Sequence, residues 1–158
     1  MSGREYTLQP SPKGAVGALR SDVPGYLNQE WVVNFTFDGV NTGVTGTEAS
    51  KYTRVGNILF FNTAIQLTSK GAQTGDVELY NLPYGAFGVA FPGAVVWANF
   101  TTAFVHVAHV IETGTLGGIC IKLVGAEAAD TSLRYLTEAD FANNTYIALN
   151  GYYWIYDG

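Results

Sequence analysis

At 158 residues the chain has the length of one domain, and its 47% hydrophobic content sets it apart from disordered polymers. Charged residues make up only 13%, about half the usual share. The net charge of -5 comes with no basic cluster, which excludes a phosphate-reading surface and argues against nucleic acid as a partner. In place of charge the chain carries 10 Tyr, 9 Phe, 3 Trp and 19 Gly, a composition that favours short strands and tight turns over helices.

The first thirty residues read differently from the rest. Met1 to Pro10 is polar and has no apolar stretch, so no signal peptide is expected. Leu8-Gln-Pro-Ser-Pro-Lys-Gly14 and Ser21-Asp-Val-Pro-Gly25 are breaker sequences without a sustained period. Residues 1–30 are therefore expected to form an extended N-terminal anchoring arm, and residues 31–158 a β-sandwich head domain.

Strand signals begin at Trp31. Alternation places Trp31, Val33, Phe35 and Phe37 on one face. A glycine-spaced loop follows, through Asp38-Gly39, Asn41-Thr-Gly43 and Thr45-Gly46. Tyr52-Thr-Arg-Val55 then leads through Gly56-Asn57 into a long run with Leu59, Phe61, Ile65 and Leu67 on one side. Val77-Glu-Leu-Tyr80, Ala94-Val-Val-Trp97 and Ala103 to Ile111 read as further strands.

No Asp, Glu, Lys or Arg occurs between Leu79 and Ile111. Pro83, Pro92, Asn81 and Asn99 interrupt this span, so it predicts strands buried on both sides and no membrane insertion. Gly114 to Gly118 is a turn, and Ile119, Ile121 and Leu123 alternate after it. Cys120, the single cysteine, sits in that apolar run as a small core residue. Thr137-Glu-Ala-Asp140 predicts a short capped helical turn. Tyr146 to Tyr156 closes the chain as a strand pair or one bent strand. About eight short strands with turn signals at intervals near ten residues predict an all-β fold, an antiparallel β-sandwich of jelly-roll-like layout.

Phe35-Thr-Phe-Asp-Gly39, Tyr52-Thr-Arg-Val-Gly-Asn57, Leu67-Thr-Ser-Lys-Gly71, Thr74-Gly75 and Leu82-Pro-Tyr84 follow one another in an order that resembles the β-rich head domains of bacteriophage tail-fibre, head-fibre and related virion-surface proteins. The resemblance covers Trp31 to about Tyr84. It implies a bacteriophage virion structural protein (a short fibre, decoration protein or fibre-tip or collar component) that assembles as a homotrimer. The arm would anchor it to other virion proteins, and its outer surface would mediate host adhesion. The short arm departs from the long shaft of a tail fibre and favours a compact piece of the virion surface, on capsid or tail.

Chemical alternatives are thin. His106 and His109 are three apart, an odd spacing that sends them to opposite faces of a strand and away from a shared metal site. Asp76 and Glu78 could share a strand face, as the two acids of a glycosidase can. Glu127, Asp130, Glu138 and Asp140 read as solvated loop acids without a calcium-loop order. The triplets beginning at Asn34, Asn99 and Asn143 fit a glycosylation pattern by chance composition. No catalytic constellation and no cofactor motif is present, so the chain is expected not to be an enzyme and to need no cofactor.

The aromatic tail is the strongest surface candidate. Alternation places Tyr152, Trp154 and Tyr156 on one face. With Trp97 they are the candidate residues for a subunit interface or for stacking on a host surface glycan. The alternative to a structural role is thus a carbohydrate-binding, lectin-like module, and a polysaccharide-modifying enzyme is the weakest reading.

Overall fold

The computed structural model describes residues 26–86 and 91–155, which form two antiparallel sheets. Residues 1–25, most of the expected arm, lie outside the described residues, as does Tyr156. The first sheet contains β1 (Tyr26–Glu30), β3 (Val44–Val55), β4 (Ile58–Lys70), β10 (Phe141–Trp154) and β6 (Phe91–Phe100), side by side in that order. The second runs β2 (Asn34–Phe37), β5 (Val77–Tyr80), β8 (Ile119–Glu127) and β7 (Phe104–Thr113), with β9 (Asp130–Tyr135) also paired to β8.

The first sheet is organised by β4 and β10, which pair in unbroken register from Tyr146↔Gln66 to Trp154↔Ile58. Because side chains alternate along a strand, this register brings Leu59, Phe61, Ile65 and Leu67 to the same face as Ile147, Leu149 and Tyr153, and all seven are buried. The inward rows named from sequence are therefore the core rows. Gly56 and Asn57 form the two-residue turn between β3 and β4, with Gly56 in the left-handed region at φ 58°. Such a turn matches the twist of the flanking strands.

The second sheet supplies Phe35, Phe37, Val77, Leu79, Ile121 and Leu123 to the same interior. Phe35, Phe37, Phe100, Phe104 and Phe141 meet edge to face, with centroids 4.9–5.8 Å apart, and close one end of the core. Each fully buried large side chain, such as Leu59 or Phe141, contributes about 1.5–3 kcal/mol from burial.

Several elements differ from the sequence expectation. Tyr26–Glu30, counted with the arm, lies along β3 as an edge strand. The first half of β3, read as a glycine-spaced loop, is strand. Gly46 fits there because it occupies a register shift in the ladder to β4, where a Cβ would come within 2.4 Å of the Gln66 carbonyl. The region around Glu127 and Asp130, read as a loop, is the β8–β9 hairpin. The uncharged span is only partly two-sided in its burial: Leu79 and Tyr80 at its start are buried, but Val96 on β6 and Val105 on β7 are each 60% exposed. Both strands lie at sheet edges among the described residues. The capped turn at Thr137 forms as a short 3-10 segment, Glu138–Asp140, with the Asp140 carboxylate accepting from the Thr137 N–H at 2.9 Å.

Candidate functional site

The two sheets present very different outer faces. On the first, the even-numbered residues of β4 and β10 point away from the core. Phe60 and Tyr152 are direct cross-strand partners, and their rings pack at 5.6 Å between centroids. Trp154 pairs with Ile58, which in turn pairs with Val55 of β3. Val55, Phe60 and Trp154 are each 45% exposed, and Tyr152 is half-buried beside them. Further along, Ala64 and Ala148 lead to the exposed Val96 of β6. Val55, Phe60, Tyr152 and Trp154 thus form an aromatic and aliphatic stripe across three strands, and the exposed outward pair Asn62 and Asn150 separates it from Ala64, Ala148 and Val96.

The aromatic candidates divide between the faces. Tyr152 and Trp154 lie on the exposed stripe. Tyr153 points inward, fully buried, and its hydroxyl donates to the Tyr84 carbonyl at 3.3 Å. Trp97 pairs with the inward Ile147 and packs, partly buried, against the core, so it belongs to the other side of the sheet from Trp154. Phe60 and Val55 were missed from sequence. Their signal was the alternation of β4 and β3, but only the register places them next to Tyr152 and Trp154.

Around Glu78 and Lys122 the outer face of the second sheet is covered and ion-paired. Glu78, on β5, points outward yet has no exposed surface. The β7–β8 turn folds over it. Glu78 Oε1 accepts from the Thr115 N–H at 2.8 Å and the Thr115 hydroxyl at 2.9 Å, while Oε2 accepts from the Tyr80 hydroxyl at 2.8 Å. The Leu116 N–H donates in turn to Tyr80 at 3.0 Å. Lys122 sits among three carboxylates, 3.3 Å from Glu78, 3.4 Å from Glu112 and 3.5 Å from Asp76.

Burial would raise the Glu78 carboxyl, but the hydrogen bonds from Thr115, Tyr80 and Lys122 outweigh it and hold the group below its ordinary value. Burial also pushes the Tyr80 phenol up to about 12, with the Glu78 charge adding to the effect. Cys120 lies beside this cluster, and burial pushes its thiol up to about 12, which keeps it an inert core residue.

Asp76 and Glu78 do share a side, as the spacing suggested, but Lys122 stands between them and Glu78 has no open approach. A glycosidase pair needs an acid that can reach substrate. Among the other acids, Asp140 is buried and not solvated as expected. It accepts from both terminal nitrogens of Arg134, at 2.7 and 2.8 Å, and from the Thr102 hydroxyl at 2.6 Å. Burial would raise its carboxyl, and the Arg134 and Thr102 bonds outweigh that and lower it. Arg134 also pairs with the exposed Glu127 at 2.8 Å. Glu138 accepts from the Gly75 N–H at 3.2 Å. This cluster ties the β8–β9 hairpin to the 3-10 turn.

His106 is exposed and His109 is buried, on opposite faces of β7 as the odd spacing requires. Among the described residues, no three His, Cys, Asp or Glu side chains gather as a metal site would need.

No protein-family model and no curated protein sequence matches the chain. The fold has a solved counterpart. It is similar to part of the crystal structure of the Dettilon tailspike protein (gp208), with a TM-score of 0.62 over 83% of this chain. Sequence identity is 11%, so the likeness is one of fold. The chain spans 24% of the tailspike chain's length.

Proposed function

We propose that this chain is a structural module of a bacteriophage virion, associated with the tail or another part of the virion surface. Its action is assembly and adhesion, not catalysis. The fold shared with part of a tailspike protein supports the virion setting. The observation that carries the mechanism is the stripe of Val55, Phe60, Tyr152 and Trp154 on an otherwise well-packed sandwich. Contiguous apolar surface of this kind marks an interaction face.

In this reading the stripe packs against other copies in a homotrimer, and the N-terminal arm joins the module to neighbouring virion proteins. Sedimentation of the full chain should give a trimer. The double variant Phe60→Ser/Trp154→Ser should give a folded monomer. A monomeric wild type at concentrations well above micromolar would sink the trimer.

The same stripe favours one second reading. Tyr152 and Trp154 offer ring faces on which a sugar can stack, as in a lectin-like module for host glycans. A wild-type monomer that retains glycans on an array, and releases them on Trp154→Ala, would favour this reading over assembly. Release of new reducing ends from host polysaccharide would overturn the non-enzymatic reading.

A further inference from the structure

Seven polar side chains are buried among the described residues, and six of them have partners: Thr36, Ser50, Thr63, Glu78, Asp140 and Thr145. His109 is the exception, and besides it only the indole N–H of the buried Trp31 is unpartnered among the described buried side chains. His109 has no exposed surface, and neither ring nitrogen has a hydrogen-bond partner. Its ring meets the Phe61 ring of β4 edge-on, at 5.6 Å and 70°. Gly151 of β10 comes so close that a Cβ there would stand 2.8 Å from His109 Nε2. The residue therefore sits where the second sheet presses on the centre of the first.

Among the described residues, no charge faces it from any packed element. From β4 comes Phe61, and Tyr153 of β10 packs on that same ring as a neutral phenol that burial holds protonated. From β8 comes the cross-strand Leu123, while Lys122 and, on β7 itself, Glu112 and His106 lie on the outward side of the second sheet. β6 contains no titratable side chain.

We propose that His109 is an acid-sensitive latch. Neutral, it lets β7 close against β4 and β10; protonated, it forces the sheets apart at their centre. Among the described residues, a charged imidazolium in this position would have no counter-ion and no acceptor. Burial alone lowers its pKa from 6.5 to about 4. The sign follows directly. In the unfolded chain the imidazole takes up a proton as pH falls through 6.5, and in the folded chain it does so only near 4. The penalty is absent above pH 6.5, grows between 6.5 and 4, and is complete below that. Glu78 and Asp140, both held low, lose their contributions in the next window down, below their ordinary carboxylate range.

Urea unfolding of the full chain at a series of pH values tests the latch. The wild-type folding constant should fall by up to about tenfold per pH unit between 6.5 and 4. His109→Leu should be at least as stable as wild type at pH 7.5 and flat across the window, since it removes an unpartnered polar group from an apolar site. His106→Gln should keep the wild-type slope. A flat wild type, a His109→Leu variant with the wild-type slope, or a slope lost in His106→Gln would each overturn the proposal. If His109→Leu does not fold, proton NMR of the wild-type imidazoles decides: a His109 midpoint near 4 upholds the latch, and one near 6.5 overturns it.

Discussion

The outer faces of the two sheets are built on the same backbone pattern and finished in opposite ways. On the second sheet, charged and phenolic residues gather around Lys122 on the outer face and the chain folds a turn over part of them, so that Glu78 ends with no exposed surface. On the first sheet, Val55, Phe60 and Trp154 point outward and stay 45% exposed among the described residues. A chain that can bury a carboxylate on the outside of one sheet has no general difficulty in covering its surface. The interaction face proposed on the first sheet rests on this difference: Phe60 and Trp154 stay half exposed where Glu78 is enclosed.

The sharpest way to break the contrast is at Glu78. Glu78→Ala leaves the Thr115 N–H, the Tyr80 hydroxyl and Lys122 without their shared acceptor, and should cost about 3–5 kcal/mol, read as a lower urea midpoint. Asp140→Ala should cost less, about 2–3 kcal/mol, because its partner Arg134 is 41% exposed and water can take over part of the lost pairing.

Gly151→Ala tests how closely the sheets press together. The added methyl meets both His109 and Phe61, and should cost about 1–3 kcal/mol with retained secondary structure by circular dichroism. On the bare face the expectation reverses. Trp154→Ser should change the stability of the isolated chain by less than about 1 kcal/mol while weakening self-association, measured by sedimentation. The smallest effect is expected for Glu127→Ala, which removes only the exposed arm of the Arg134 pairing and should stay within about 0.5 kcal/mol. A loss at Trp154 as large as that at Glu78 would erase the distinction between the faces.

Much of the first sheet was legible in the sequence. The rows through Leu59, Phe61, Ile65 and Leu67, and through Tyr153 and Ile155, follow from alternation, which needs no knowledge of neighbours. The strand β9 and the first half of β3 were not legible, because glycine and charged residues in those stretches carry turn signals. Their strand state depends on a partner: β8 for one and β4 for the other. The candidate surface was half legible. Tyr152 and Trp154 came from their own strand, but Phe60 and Val55 joined them through cross-strand register, and Trp97 turned to the core because of its pairing with Ile147.

The acids show the same limit from the other side. Glu78 and Asp140 have ordinary sequence neighbourhoods, and their spacing to Thr115 and Arg134 is set by turns that bring distant strands together.

By itself, then, the sequence determined an all-β chain, the inward rows of its longest strands and the opposite orientation of its two histidines. Each of these depends on the period-two geometry of a single extended strand. Only the tertiary structure decided which outward residues stay bare, which acid is buried, and that His109 lies unpartnered between the sheets. Those outcomes depend on which strands become neighbours, and a strand's own sequence says on which side its residues lie but not what will lie against them.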